Sequence, residues 1–206
     1  MRRGSGHPDR WITGIVLLSV LGCAAGSRQM LRSGRVAGEQ PRVAMLPLED
    51  LSGQVEASDG FTRMVFAELV QSGTCRVTDS GAVLETMDSL SIRDGNSLTR
   101  DQLRTLAERL GVDFVLTGTL LESTTMKTGD GEVPVVGAAL KLIEVATARV
   151  VWAEERFLTG EDRETVFGWG RQRSLKVLTG TLARDMMRDF VVSHGDSTSA
   201  RRGRAK

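Results

Sequence analysis

Few side chains in this 206-residue chain have types and spacing suited to chemistry. The first is Cys23. Arg2, Arg3 and Arg10 precede an apolar run, Trp11–Leu21, that is too short to span a bilayer as a permanent helix and has the layout of an export signal. The run closes on Val20-Leu21-Gly22-Cys23, which resembles the bacterial lipobox. In that motif the thiol is diacylated, the signal is cut before the cysteine, and the new amino terminus is acylated. Cys23 is therefore the expected lipidation site. Ala24 stands where an inner-membrane retention signal has Asp, so the expected address is the periplasmic side of the outer membrane. Two or three acyl chains make such anchoring stable.

The second group is the carboxylates Glu49, Asp50, Glu154 and Glu155, the residue types of a glycosidase acid/base pair. Neighbours on a strand point to opposite faces, so neither adjacent pair converges on a substrate. Glu154 and Glu155 read as solvent-facing hairpin residues, and Glu49-Asp50 as part of a polar turn. Histidine is nearly absent: His7 precedes Cys23 and His194 lies near the C-terminus. Ser-His and Cys-His dyads and histidine metal sites thus lack a partner in the core. The glycine signatures of phosphate-binding loops and the G-x-S-x-G nucleophile turn do not occur. The expectation is a non-enzymatic protein with no cofactor and no metal. Gly168-Trp169-Gly170-Arg171 is a candidate partner-binding patch, because Trp169 and Arg171 are residue types favoured at interfaces.

Charge excludes another class. The chain carries a formal net charge of +1, and cleavage before Cys23 removes three arginines and one aspartate, leaving about −1. Arg201, Arg202, Arg204 and Lys206 close the chain, so the body ahead of them is near −5. That balance does not suit a nucleic-acid binder. With Cys23 consumed by lipid, Cys75 is left alone, so the fold must rest on its hydrophobic core rather than a disulfide.

The elements that would carry these residues can be read in order. Residues 1–22 form the signal and 23–40 a lipidated flexible tether; 41–193 form the folded domain and 194–206 a basic disordered tail. Seventeen tether residues span roughly 20–25 Å as a coil and at most about 60 Å when stretched. Val43–Leu48 reads as a buried strand ended by Pro47, and Glu49–Gln54 as a turn. Helical spacing runs through Asp59–Gln71. Thr74–Thr78 is a short strand, Asp79/Ser80 caps a helix to about Leu90, and Thr99 with Gln102 forms a capping box for a helix ended by Gly111. Asp113–Leu121 is a strand followed by a polar loop. Gly137–Val145 and Arg149–Leu158 make a hairpin, and Leu175 to Phe190 draws one apolar stripe along a long C-terminal helix. The fold class is α/β: a single, three-layer-like domain with a mixed β-sheet flanked by helices.

The strings RVAMLPLEDLSGQ, LAERLGVDFVLTGTL and ALKLIEVATARVVWAEE resemble the CsgG/HfaB group of periplasmic lipoproteins, to which the LpoB-type activators of penicillin-binding proteins are structurally similar. The resemblance covers about residues 41–160. It implies a lipid-anchored adaptor in curli-like secretion or envelope assembly, binding envelope protein partners and a membrane but no nucleic acid. Activation of a peptidoglycan synthase is the first alternative, and an oligomeric ring in a secretion channel, which would make the chain a homo-oligomer, is the second. Pore-forming members carry two membrane hairpins, and the segment ESTTMKTGDGEVPVVG reads as too short and polar to form the first.

Overall fold

A computed structural model of the chain describes residues 40–54, 56–129, 131–162 and 171–202, beyond Phe190 by backbone alone. These belong to one of the two units into which the chain divides, Val36–Lys206. Among the described residues are six strands and four helices: β1 (Arg42–Met45), β2 (Glu49–Asp50), α1 (Ala57–Ser72), β3 (Arg76–Val77), α2 (Ser80–Ser89), α3 (Arg100–Leu110), β4 (Phe114–Thr128), β5 (Gly131–Glu144), β6 (Arg149–Thr159) and α4 (Leu175–Arg202). No helix among them is long and apolar enough to cross a membrane.

The sheet is open and mixed, in the order β3-β1-β4-β5-β6. β1 lies parallel to both β3 and β4, whereas β4, β5 and β6 form an antiparallel meander. Pro47 has no N–H to give the ladder, and β1 stops before it. The chain then resumes on the same edge of β4: Leu46 N–H donates to Leu116 O, β2 pairs Glu49 with Thr119, and Leu51 N–H donates to Leu120 O. Glu49-Asp50, expected in a turn, is thus a strand.

Alternation divides the sheet into two faces. One carries Val43, Met45, Phe114, Leu116, Leu140 and Leu142, all buried, and is covered by α1 and α4. Phe61, Val65 and Leu69 are the buried residues of α1, at the expected helical spacing. Each such side chain contributes about 1.5–3 kcal/mol on burial. The other face carries Ala44 and Val115, which pack with Val83 and Met87 of α2 and Leu103, Leu106 and Ala107 of α3. Among the described residues, helices α2 and α3 pack over the starts of the strands on this face, and no helix residue lines the groove further along it.

Caps account for the helix boundaries. Asp79 Oδ2 accepts from Gly81 and Ala82 N–H at the head of α2. The Thr99–Gln102 capping box is present at α3, and Gly111 ends that helix at φ 63°. Glu56 precedes α1 without a side-chain cap; Asp50 Oδ2 instead accepts from Ser58 N–H at 3.0 Å, so strand β2 caps the helix that follows it.

Two segments depart from the sequence reading. The stretch expected as a polar loop is a continuous extension of the β4–β5 hairpin, pairing Glu122 with Gly137 through Thr128 with Gly131 after a bulge between Leu120 and Glu122. The bulge shifts the alternation, and a Thr-rich strand hides it. Helix α4 runs to Arg202, past residue 193, where composition places the start of the tail.

Gly118 is fixed by packing, since a Cβ there would collide with the Ala139 carbonyl oxygen and the Leu140 side chain. Gly118→Ala is expected to cost roughly 1–3 kcal/mol through overpacking, read as a lowered melting temperature; an unchanged one would contradict the close β4–β5 approach.

Candidate partner-binding face

The open part of the sheet forms a groove of about 440 Å³ across β2, β4, β5 and β6, lined by Glu49, Asn96, Thr119, Ala139, Lys141 and Glu155 among others. Register sets the arrangement. Glu49 pairs with Thr119, Thr119 with Ala139 and Ala139 with Glu155, so two carboxylates stand at the ends of one cross-strand row with a small floor between them. The next row is Thr117, Lys141 and Ala153. Phe157 continues the β6 face, 51% exposed, its ring lying over Gly137 where a Cβ would otherwise sit.

Asn96 organises the rim. Its side-chain N–H₂ lies 3.0 Å from Glu49 Oε2, 2.9 Å from Gly118 O and 2.8 Å from Thr119 Oγ1, while Thr117 Oγ1 donates to its Oδ1. Lys141 Nζ donates to Asn96 O at 3.3 Å. The preceding Asp94 is held below its ordinary pKa by the Ser97 hydroxyl and Asn96 N–H, against burial, with help from Lys141. The sequence marks Asp94-Gly95-Asn96 only as a loop; nothing local says that it folds back onto β2 and β4.

The four sequence-selected carboxylates separate. Asp50 is engaged as a cap: burial raises its pKa, but hydrogen bonds from Ser52 and Ser58 outweigh it and leave the pKa lowered. Glu49 and Glu155 share the groove, whereas Glu154 faces α4 rather than solvent. Its Oε1 lies 2.7 Å from Arg156 Nη2, close enough for an ion pair, yet it has no hydrogen-bond partner. Arg156 donates instead to Asp189 Oδ2 at 2.6 Å. Burial raises the Glu154 pKa, Arg156 opposes this, and Asp189 and Asp185 add to it. Trp152 is on the same side, edge-on to Phe190 at 5.2 Å between ring centroids. The covered face of β6 is thus Trp152, Glu154 and Arg156, and the face of Val151, Ala153 and Phe157 is the open one.

Arg171 pairs with Glu161 at 2.5 Å and its side chain is 17% exposed, so a partner reaching it would compete with an internal ion pair. Cys23 and Trp169 lie outside the described residues. No group of three or more metal-ligating side chains occurs among the described residues. Cys75 is buried, which raises its thiol pKa despite a hydrogen bond with Thr74.

The model of the peptidoglycan-synthase activator LpoB family matches residues 28–157. The chain belongs to that family. In this LpoB-family chain the match takes in the sheet through most of β6 and the groove residues named above, and it stops short of α4. Among solved structures, lipoprotein GNA1162 from Neisseria meningitidis is similar at 19% identity and a TM-score of 0.54, covering 73% of this chain and 98% of that one. At that identity the likeness concerns the fold. The LpoB C-terminal domain from Salmonella enterica aligns at 13% identity and a TM-score of 0.46, over 59% of this chain and 86% of that one. The PelC dodecamer from Paraburkholderia phytofirmans aligns at 20% and 0.48, over 71% and 84%. No curated protein matches the chain in sequence. Of the two groups that the sequence resembles, the activator group is the one the family model supports; the CsgG/HfaB resemblance gains no support from it.

Stability depends on pH at Glu154. Its folded pKa is above its unfolded one, so ionised Glu154 opposes folding once pH rises past the folded value. Glu154→Gln should therefore melt no lower than the parent at pH 7, and any advantage should vanish as pH falls through the usual carboxylate range. Asp189→Asn, which weakens the hold on Arg156, should melt lower at pH 7. The reverse order would contradict the assignment.

Proposed function

We propose that this chain is a lipid-anchored activator of a peptidoglycan synthase, working from the periplasmic side of the outer membrane by protein contact, without chemistry of its own. The family match over residues 28–157 carries the reading. The carboxylates support it: Asp50 holds a helix end and Glu49 is tied to Asn96, leaving neither placed as one half of an acid/base pair. The partner surface is the open sheet face, where Glu49, Lys141 and Glu155 give a charged rim and Phe157 an exposed aromatic anchor.

Reach is compatible with this role. A seventeen-residue coil would alone span about 20–25 Å. β4 begins beside Arg42, where the chain enters the sheet, and its 15 residues run away from that end. At about 3.3 Å per residue the hairpin tip stands roughly 50 Å beyond the entry point. The domain itself supplies length that the tether lacks.

Two experiments test the parts separately. Cys23→Ser should abolish acyl labelling and release the protein from membranes; unchanged labelling would remove the anchor from the account. Phe157→Ala and Glu155→Arg should each weaken stimulation of the host's glycan-polymerising synthase about ten-fold, the scale of an interface hot spot, with folding retained. Full stimulation by both variants would move the contact off this face.

A further inference from the structure

Strand β6 is the outermost strand on its side of the sheet, and its free edge carries a defined set of main-chain groups. Gly160 N–H donates to Pro134 O at 2.8 Å, and the β5–β6 register, one step on from Val135–Thr159, sets these two residues opposite each other. Hydrogen-bonded and non-bonded pairs alternate along an antiparallel ladder, so Trp152, Glu154, Arg156 and Leu158 bond to β5. Ala153, Glu155 and Phe157 therefore turn their N–H and C=O groups away from it. The other strands keep the same phase: Leu116 and Leu120 give their carbonyls to the β1–β2 side, leaving Thr117 and Thr119 for Lys141 and Ala139 of β5. Among the described residues no hydrogen-bond partner meets the main chain of Ala153, Glu155 or Phe157. The edge closes at Thr159, whose N–H donates to Asp162 Oδ2 at 2.6 Å, and Gln172 N–H takes Gly160 O. At about 3.3 Å per residue, the open stretch from Ala153 to Phe157 is roughly 13 Å long. It has neither the Lys nor the Pro that blunts many native edges.

We infer that this edge takes up an extended segment of the synthase as an added strand, with a bulky apolar residue opposite Ala153, a Lys or Arg opposite Glu155 and an apolar residue opposite Phe157. The inference rests on the synthase reading above and gives its mode of binding. The main chain supplies the attachment, since each of the three residues offers an N–H and a C=O in one line. The side chains supply the selection. All three are exposed on the open face, beside the groove. Glu155 ends a row whose other end is Glu49, while Lys141 Nζ donates to Asn96 O, so a cation is the fitting cross-strand neighbour of Glu155. Ala153 leaves space for a large side chain, and the Phe157 ring, lying over Gly137, gives the last position an apolar surface. On the opposite face Arg156 is committed to Glu154 and Asp189, so recognition falls to the open side. A second copy of the chain fits this edge poorly. Two copies would pair antiparallel about a twofold axis, and the registers centred on Glu154, Glu155 or Arg156 set like charges directly opposite each other.

The test is residue-resolved amide exchange of the full acylated chain, with and without the host's glycan-polymerising synthase. Exchange at Ala153, Glu155 and Phe157 is expected to slow about ten-fold or more on binding. Glu154 and Arg156, already bonded to β5, should be slow in both states and serve as the internal reference. Ala153→Pro removes one outward N–H at a position where an edge strand tolerates proline. It should weaken stimulation about ten-fold, whereas Ala153→Ser should leave stimulation intact. Synthase bound and stimulated while the three amides exchange as in the free protein would overturn the added strand and leave the synthase reading standing. A synthase that neither binds nor responds to the parent chain would overturn that reading and the added strand together. Slowing of the same amides with protein concentration alone would assign the edge to a second copy and overturn the partner strand.

Discussion

The antiparallel pairing of β4 with β5 is the constraint on which the rest of this domain depends. β4 receives β1 and β2 on one edge and β5 on the other, from Phe114 to Thr128. Its two faces seed both halves of the core, through Phe114 and Leu116 against α1 and α4 and through Val115 against α2 and α3. Because β4 and β5 are far longer than β1, β2 and β3, the helices that connect the short strands cannot cover the whole sheet. The open groove and the projecting hairpin follow from that mismatch in strand length.

Polar groups on the open face are held rather than left to solvent. Asn96 reaches β2 and β4 at once, and Lys141 returns a hydrogen bond to the same loop from β5. A rim tied across three strands costs little further entropy when a partner docks, which is the physical basis of a preorganised interface. On the covered face, by contrast, Glu154 and Arg156 are accommodated under α4 by an ion-pair cluster with Asp189. Such clusters add little net stability.

Much of the architecture was legible in the sequence because its signals are local. Asp79, the Thr99–Gln102 box and Gly111 mark helix ends by side-chain chemistry, and the Ala146-Thr147-Ala148 turn follows from the strands flanking it. Two strand segments were hidden. The Pro47 interruption makes Glu49-Asp50 look like a turn, and the bulge after Leu120 breaks the period just where Ser and Thr replace aliphatic residues. The covered side of β6 was illegible for a related reason: it carries Glu154 and Arg156, whose burial depends on α4, a partner distant in the chain. Asn96 shows the same limit at the candidate site, since its role exists only through contacts with residues 22 and 47 positions away.

Under the proposed function, the open face rather than the helical one meets the synthase. Amide hydrogen exchange of the acylated protein with and without its synthase tests this most directly. The expected result is added protection in the 94–98 loop, β6 and the adjoining strands of the groove, with α1 and α4 unchanged. Protection confined to α1 and α4, with the groove exchanging as in the free protein, would contradict it.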